Sequence, residues 1–384
     1  MVGRLIATLP AVIFSVLLAG SWVYCALQIV AARRYRSVHP VAASEPEPIS
    51  ILKPLDGLDE GLERNLRTFF EQGYGRFEIL FAARRDNDPG LQLARRLSRD
   101  YPQIATGFFV TGEPPWPNAK VWSLELMMRA ARHDLLLMSD SDIRVTPEML
   151  DVVAAEFSDP KLGVATCPYR AVAGPSFWSE LEALGMNTEF WGGVFTARLV
   201  EGGVRFAVGP TIAARRRVIE AVGGWDRLSR YLAEDFVLGQ SAAEAGYGVI
   251  LSSYVIEHRI GVQKLLPNLA HRLRWNRSTR RSRGAGYAGQ VFTNPVPLAL
   301  ILVALTPQAW PALVFTALLR AWGAYEVASR TLAQRLDVRS WTLLPLQDLI
   351  SFFLWIAGFQ GDTILWRGRE YRLLPDGRFE LLRP

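Results

Sequence analysis

No charged residue interrupts the chain between residues 5 and 32, a run long enough to cross a bilayer and too long for the apolar core of a cleavable signal peptide. It predicts a retained N-terminal transmembrane anchor over residues 1–36, followed by a Pro-rich linker over 37–48. Short apolar runs then alternate with helical stretches. Strands are expected at Ile49–Pro54, 77–82, 106–110 and 135–138, with helices at 58–72, 91–99 and 120–131 between them. Strands alternating with helices of this length predict an α/β domain, assigned to residues 49–260, with a mostly parallel sheet covered on both faces. Ligands of such sheets bind at the carboxyl ends of the strands.

The pattern changes again near residue 261. Leu266, Leu269 and Leu273 recur at helical spacing among arginines, which predicts a basic amphipathic helix at the membrane interface over 261–290, its basic side towards phosphates. Residues 291–319 are uncharged but carry Pro295, Pro297, Pro307 and Pro311, consistent with one tilted helix or a re-entrant hairpin. An apolar run over 341–360 contains Asp348, whose carboxyl is expected to turn towards protein or a polar cavity, because facing lipid is costly. These segments form an expected C-terminal membrane region, 291–366, with a basic cytoplasmic tail over 367–384. Arg33, Arg34 and Arg36 outnumber the lone Arg4 across the first span, which places the α/β domain in the cytoplasm.

Composition fits one large mixed domain plus lipid-facing segments: 384 residues, 50% of them hydrophobic, with a mean hydropathy of +0.12. Cys25 and Cys167 make neither a disulfide framework nor a zinc spacing. A net charge of +6 and a pI near 9.5 point to anionic partners. The arginines cluster beside an apolar segment and the strands lack a stacking-aromatic pattern, so membrane lipid and diphosphate are expected and nucleic acid is not. Charge alone would equally suit a non-catalytic protein that binds anionic lipid.

Candidate chemistry begins where the fourth strand empties into Ser139-Asp140-Ser141-Asp142. A hard divalent cation, Mg²⁺ or Mn²⁺, prefers carboxylate oxygens, and residues two apart on an extended chain point the same way, so Asp140 and Asp142 can face one metal-bound diphosphate. Asp-Ser-Asp is also ordinary turn chemistry. Transfer of a sugar to an alcohol needs a base, for which Asp235 is the candidate, with Glu234 orienting it or reaching the acceptor. Acidic residues at a helix start are also favoured simply by the helix dipole. Arg274 offers a fork-shaped guanidinium to a leaving diphosphate, and Trp275 is expected to close over the nucleotide or line the acceptor path. Arginines before an apolar segment are equally the flank of a membrane protein.

In order along the chain, Ser50-Ile51-Leu52-Lys53-Pro54-Leu55, Asn118-Ala119-Lys120, Ser139-Asp140-Ser141-Asp142-Ile143-Arg144-Val145, Gly223-Gly224, Ala233-Glu234-Asp235 and Arg274-Trp275 resemble the ceramide glucosyltransferase family, glycosyltransferase family 21, and its bacterial hopanoid-associated relatives. The resemblance implies a GT-A type catalytic domain, a UDP-sugar donor, a divalent cation and an inverting displacement onto a lipid hydroxyl. Ceramide with UDP-glucose is the leading pair, a hopanoid polyol with UDP-N-acetylglucosamine the alternative, and a processive polysaccharide synthase a further one. It makes Asp142 the metal-binding aspartate with Asp140 beside the nucleotide, Asp235 the base, and Arg274 with Trp275 the last signature, and it places Lys53 and Lys120 near the nucleotide. Two positions depart from the family pattern. Arg85 stands where an aspartate usually meets the uracil, so Asp86 or Asp88 is expected to take over. His271 stands where Gln or Arg is commoner.

Overall fold

The structure is a computed structural model that describes residues 2–39, 47–366 and 369–383. Residues 40–46 of the expected linker, and Arg367 and Gly368 at the head of the expected tail, lie outside the described residues. The chain forms two compact units and visits each three times. A sheet unit comprises Val38–Val172, Gly203–Gly261 and Trp366–Pro384, and a helical unit comprises Met1–Ser37, Ala173–Gly202 and Val262–Leu365. Residues 173–202, read above as part of one unbroken α/β domain, cluster with the helices instead. The reason is their apolar side: Trp191 and Phe195 are buried, and Phe195 stacks on Tyr35 of the first helix at 4.7 Å.

In the sheet unit, the strands are β1 (Ile49–Pro54), β2 (Phe77–Ala83), β3 (Ala105–Val110), β4 (Leu135–Ser139), β5 (Ile143–Arg144), β6 (Leu162–Thr166), β7 (Tyr169–Ala173), β8 (Thr211–Arg215), β9 (Gly248–Leu251) and β10 (Ile256–Ile260). The main sheet has the order β3-β2-β1-β4-β8-β6-β9, and only β8 runs against its neighbours. β4 and β6 are buried along their whole length, as expected for continuous apolar strands covered on both faces. Leu124, Met127, Leu136, Ile212, Val218 and Trp225 share one core beneath the sheet. The helix expected from residue 58 starts only at Leu62, because Gly61 takes φ 75°, a left-handed conformation that a helix cannot include. A small second sheet, β5-β10-β7, pairs Ile143 with His258. The expected tail is a β-hairpin, Arg369–Leu373 with Phe379–Arg383, and Phe379 N donates to Arg230 O at 3.1 Å.

Among the described residues, two helices are long and apolar enough to cross a membrane, Leu9–Tyr35 and Val338–Gly358, both in the helical unit. At 27 residues the first spans about 40 Å, more than the roughly 30 Å of hydrocarbon. The proline-containing stretch is not one tilted helix. Ala285–Thr293 and Pro295–Leu305 meet at 67°, and Trp310–Ala324 packs back on Pro295–Leu305. Pro295 and Pro311 lie in first turns, where their missing N–H groups are harmless, so they start helices rather than kink one. Gln28 donates to Thr188 O at 3.1 Å and occupies the space beside Gly192, where a Cβ would lie 1.7 Å from its Nε2.

Asp348 is 0% exposed and is met by Arg320, itself 2% exposed, through contacts of 2.9 and 3.0 Å; the same guanidinium reaches Thr188 Oγ1 at 3.1 Å. The helix Leu265–Arg283 differs from its expected form. Arg277 donates to Gln360 O and Thr363 O, and Arg280 to Phe359 O and Gly361 O, so these arginines cap the end of Val338–Gly358 rather than point to phosphates. Arg283 pairs with Glu201.

Replacing Arg320 alone by Met leaves a buried carboxylate uncompensated, an expected loss of about 3–5 kcal/mol. The thermal midpoint of detergent-purified R320M is expected to drop, and R320M/D348L to recover most of the loss. Equal midpoints for R320M and the parent would remove the pair from the stability of this unit.

Candidate functional site

The Asp-Ser-Asp turn sits at the carboxyl end of β4 with each of its backbone carbonyls held. Lys53 Nζ donates to Asp140 O at 2.5 Å, Asn65 Nδ2 to Ser141 O at 3.2 Å and Arg259 N to Asp142 O at 2.8 Å. Asp140 N donates to Pro210 O at 2.9 Å, and the Ser139 and Thr211 hydroxyls lie 3.0 Å apart, which ties the turn to β8. Lys53 is wholly buried, with its ammonium 3.8 Å from the centre of the Phe69 ring. Burial pushes its pKa down to about 7, against the pull of Asp140 and Asp142. The expected nucleotide contact of Lys53 is therefore corrected: the side chain supports the turn from beneath.

Lys120 joins the turn to the second acidic pair. Its Nζ lies 2.7 Å from Asp140 Oδ1 and 3.6 Å from Glu234 Oε1. Asn118 caps the helix Ala119–Ala130 by accepting from Val121 N, and its amide donates to Glu234 Oε2 at 3.2 Å. Glu234 and Asp235 open the helix Glu234–Glu244, yet Glu234 is engaged by Lys120 and Asn118 rather than spent on capping. Burial lifts Glu234 to about 7, with Lys120 opposing and Asp235 adding to the rise. Burial also raises Asp235, although the Phe236 amide, then Lys120 and the Gly209 amide favour its charge. Gly209 is needed here: a Cβ would stand 2.9 Å from Asp235 Oδ2.

Asp142 faces a different partner. His258 Nε2 lies 3.1 Å from Asp142 Oδ2, placed by the pairing of β10 with β5. Burial disfavours the charge of Asp142, but His258 and then Lys53 outweigh it and hold the carboxyl below its usual range. Oδ1 of Asp142 is buried without a hydrogen-bond partner. An orphaned carboxylate oxygen beside an imidazole fits a divalent cation, and among the described residues no three His, Cys, Asp or Glu side chains form a complete cage. Sequence reasoning missed His258 and Asn65, and it picked out Asn118 only as part of the Asn118-Ala119-Lys120 motif, without its contact to Glu234. Only the alternation of Ile256-Glu257-His258-Arg259-Ile260 offered a signal, by marking His258 as a residue facing the same side as two isoleucines.

A cavity of about 490 Å³ opens past the carboxyl ends of β1 and β2, lined by Asp56, Arg84, Arg85, Asn87, Asp88 and Pro89. The carboxylates expected to compensate for Arg85 are already engaged. Asp88 caps the helix Pro89–Asp100 through Gly90 N and Leu91 N and accepts from Gly57 N at 2.9 Å, while Asp86 pairs with Arg95 at 2.7 Å. Arg274 and Trp275 belong to the helical unit, on Leu265–Arg283. Trp275 packs edge-on to His271 at 4.6 Å, and His271 Nδ1 lies 3.0 Å from Glu182 Oε1.

Glu234 holds a proton in the fold up to about pH 7, whereas its ordinary value is 4.5. Its contribution to stability is full below that ordinary value and is lost as pH rises through about 7. The thermal midpoint of E234Q is therefore expected to fall less than that of the parent between about pH 5 and 7.5. Parallel midpoint curves would show that Glu234 does not titrate in this window.

The family model of glycosyl transferase family 21 matches residues 12–379. Ceramide glucosyltransferase 1 of Caenorhabditis elegans is 29% identical over 225 residues, 57% of this chain and 47% of that protein. The ceramide glucosyltransferase of Komagataella phaffii is 34% identical over 103 residues, 26% of this chain and 20% of that protein. The chain thus matches about half or less of the length of these relatives. Among solved structures, a mannosyltransferase from Pyrobaculum calidifontis in complex with GDP-Man and Mn²⁺ has a TM-score of 0.52 at 18% identity, over 91% of this chain and 99% of that one. That likeness establishes the shared GT-A type fold. With the family match running through both units, the chain belongs to glycosyl transferase family 21.

Proposed function

We propose that the protein is a membrane-bound transferase that moves glucose from UDP-glucose to the hydroxyl of a lipid, ceramide first, with inversion at the anomeric carbon. One observation carries the reading: Asp235 is a half-buried carboxyl with a raised pKa, in a network that runs through Glu234 and Lys120 to Asp140 in the Asp-Ser-Asp turn. A carboxylate of raised basicity takes the proton of the acceptor hydroxyl as its oxygen bonds to C1 and the C1–O bond to UDP breaks. Glu234 and Lys120 orient that carboxylate and keep the acidic cluster electrostatically balanced. Asp142, with His258 and Asp140 at hand, would hold a Mg²⁺ or Mn²⁺, which when bound would neutralise charge on the departing diphosphate. The cavity beside Arg85 is the proposed seat of the nucleoside. Arg274 is assigned to the leaving diphosphate by its chemistry, with Trp275 beside it in sequence.

Membrane attachment follows from the helical unit, and the arginines after the first span favour a cytoplasmic sheet unit. The sheet unit lies on one side of the membrane, and the chain leaves it after Gly261 and rejoins it at Trp366. Residues 262–365 therefore cross an even number of times, and Val338–Gly358 spans only if a second crossing, such as the bent pair Ala285–Thr293 and Pro295–Leu305, accompanies it.

Detergent-purified protein with Mn²⁺ or Mg²⁺, offered UDP-glucose or UDP-N-acetylglucosamine with ceramide or a hopanoid polyol, is expected to yield a hexosylceramide by mass spectrometry. An N-acetylhexosaminyl hopanoid would overturn the proposed donor and acceptor. D235N is expected to lose about 10³-fold in turnover while binding UDP normally, and loss of UDP binding instead would make Asp235 structural. D142A is expected to lose the metal-dependent part of UDP-glucose binding; binding equal with and without metal would end the assigned role.

A further inference from the structure

Glu234 and Asp235 open a helix whose own start is weakly specified. Its N-cap is Ala233, at φ −100° and ψ 64°, and a methyl group accepts no hydrogen bond from the free amides of a first turn. The residues just upstream are held instead by the end of the chain. Phe379 N donates to Arg230 O at 3.1 Å, and Tyr231 is bridged antiparallel to Arg378. Tyr231 therefore lies beside the head of Phe379–Arg383 like one residue of a further strand. From Tyr231 to Glu234 the chain spans at most about 11 Å, so a shift at the bridge reaches Glu234 with little slack. Tyr231 N is also tied back to Leu228 O at 3.1 Å.

The hairpin that grips this loop is stiff. Its turn brings Leu374 N to Arg378 O at 2.8 Å and Gly377 N to Leu374 O at 3.1 Å, with Gly377 at φ 84°, a left-handed conformation that suits glycine. Asp376 holds the Arg378 side chain back on the turn, Oδ2 to Nε at 2.6 Å. Trp366, Tyr371 and Phe379 form one ring cluster, with centroids 5.1, 5.8 and 5.9 Å apart, and Tyr371, Leu373 and Phe379 are buried. Because Leu374 N bonds across the turn, Leu373 and Phe379 face each other as a non-hydrogen-bonded pair. The Phe379 amide consequently points out of its own hairpin, to Arg230.

We propose that the hairpin Arg369–Leu373 with Phe379–Arg383 is a clamp that positions the Glu234–Asp235 pair, gripping its loop through Phe379 N and the Tyr231–Arg378 bridge. The inference rests on the reading of Asp235 as the base. Tyr231, Arg378 and Phe379 are positioning residues, acting through the loop at 230–233. The clamp makes up for the weak cap. Glu234 meets Lys120 and Asn118, and Asp235 meets the Gly209 amide, and each contact demands that the helix begin at one position. Slippage of the helix start by one residue turns a side chain by about 100° and breaks them all.

The test replaces the Phe379 amide by an ester, through phenyllactate at position 379 of the full-length protein, which deletes the N–H and keeps the ring. With UDP-glucose, ceramide and Mn²⁺ in detergent, turnover is expected to fall about tenfold while UDP affinity and the donor KM stay within about twofold. The acid limb of the pH profile is expected to move to lower pH, because a loosened pair gains water and loses the burial that raises both carboxyls. Hydrogen exchange at 230–237 is expected to speed up while that of the helix Ala119–Ala130 stays the same. Unchanged turnover or unchanged exchange overturns the proposal. A loss of UDP affinity equal to the loss of turnover also overturns it, by making the hairpin a general support of the unit. As a second variant, Y231C/R378C closes the bridge by a disulfide, Cys25 and Cys167 both being buried. Its oxidised form is expected to keep the parent's turnover, and an oxidised form that is inactive until reduced overturns the clamp, since the loop would then have to leave the hairpin in each cycle. If the parent transfers no sugar while the ester still speeds exchange at 230–237, the proposed function fails and the clamp stands.

Discussion

The arrangement of the sheet unit depends on a lysine placed where lysines are least at home. The ammonium of Lys53 has no solvent and rests on the Phe69 ring, beneath the carbonyl of Asp140. Burial pulls its pKa to about 7, so the unfolded chain binds that proton more tightly and the group opposes folding in full below about pH 7, a cost that fades only as the pH rises from there to the ordinary lysine value of 10.5. In return the turn is held from below while Asn65 and Arg259 N hold its other two carbonyls. A turn with every carbonyl engaged has little freedom to reorient its carboxylates, which is what preorganised chemistry requires.

That fixed turn sends its two aspartates to different partners. Asp140 meets Lys120 and, through it, Glu234, whereas Asp142 meets His258. The separation matters because carboxylates gathered in a buried place raise one another's pKa unless cations intervene. Lys120 intervenes on one side and His258 on the other. Glu234 and Asp235 are left with raised values, suited to accepting a proton, while Asp142 is held ionised, suited to a cation.

The helical unit uses charge differently. Arg320 and Asp348 neutralise each other inside it, and Arg33 and Arg36 both reach Glu326. Arg277 and Arg280 close the carbonyl end of a neighbouring helix. Much of the basic character that the sequence displays is thus consumed within the unit, where each guanidinium answers a carboxylate or a set of unpaired carbonyls. Net charge is therefore a poor guide to what this protein presents to an anionic partner.

The first helix, the alternating strands and helices up to β4, the emergence of Asp140 and Asp142 at a strand end and the helix-start position of Glu234 and Asp235 were all determined by the sequence alone. Apolar periodicity and local turn chemistry act over a few residues, so they are written there directly. The structure alone decided that residues 173–202 join the helices, that the C-terminal tail is a hairpin on the sheet unit, that His258 meets Asp142 and that Arg320 answers Asp348. His258 lies 116 residues from Asp142, and its place is set by the register of β10 on β5. The roles of Lys53 and Asp88 were hidden for the same reason: residue type announces a charge, but only packing decides whether that charge faces a ligand or a backbone amide.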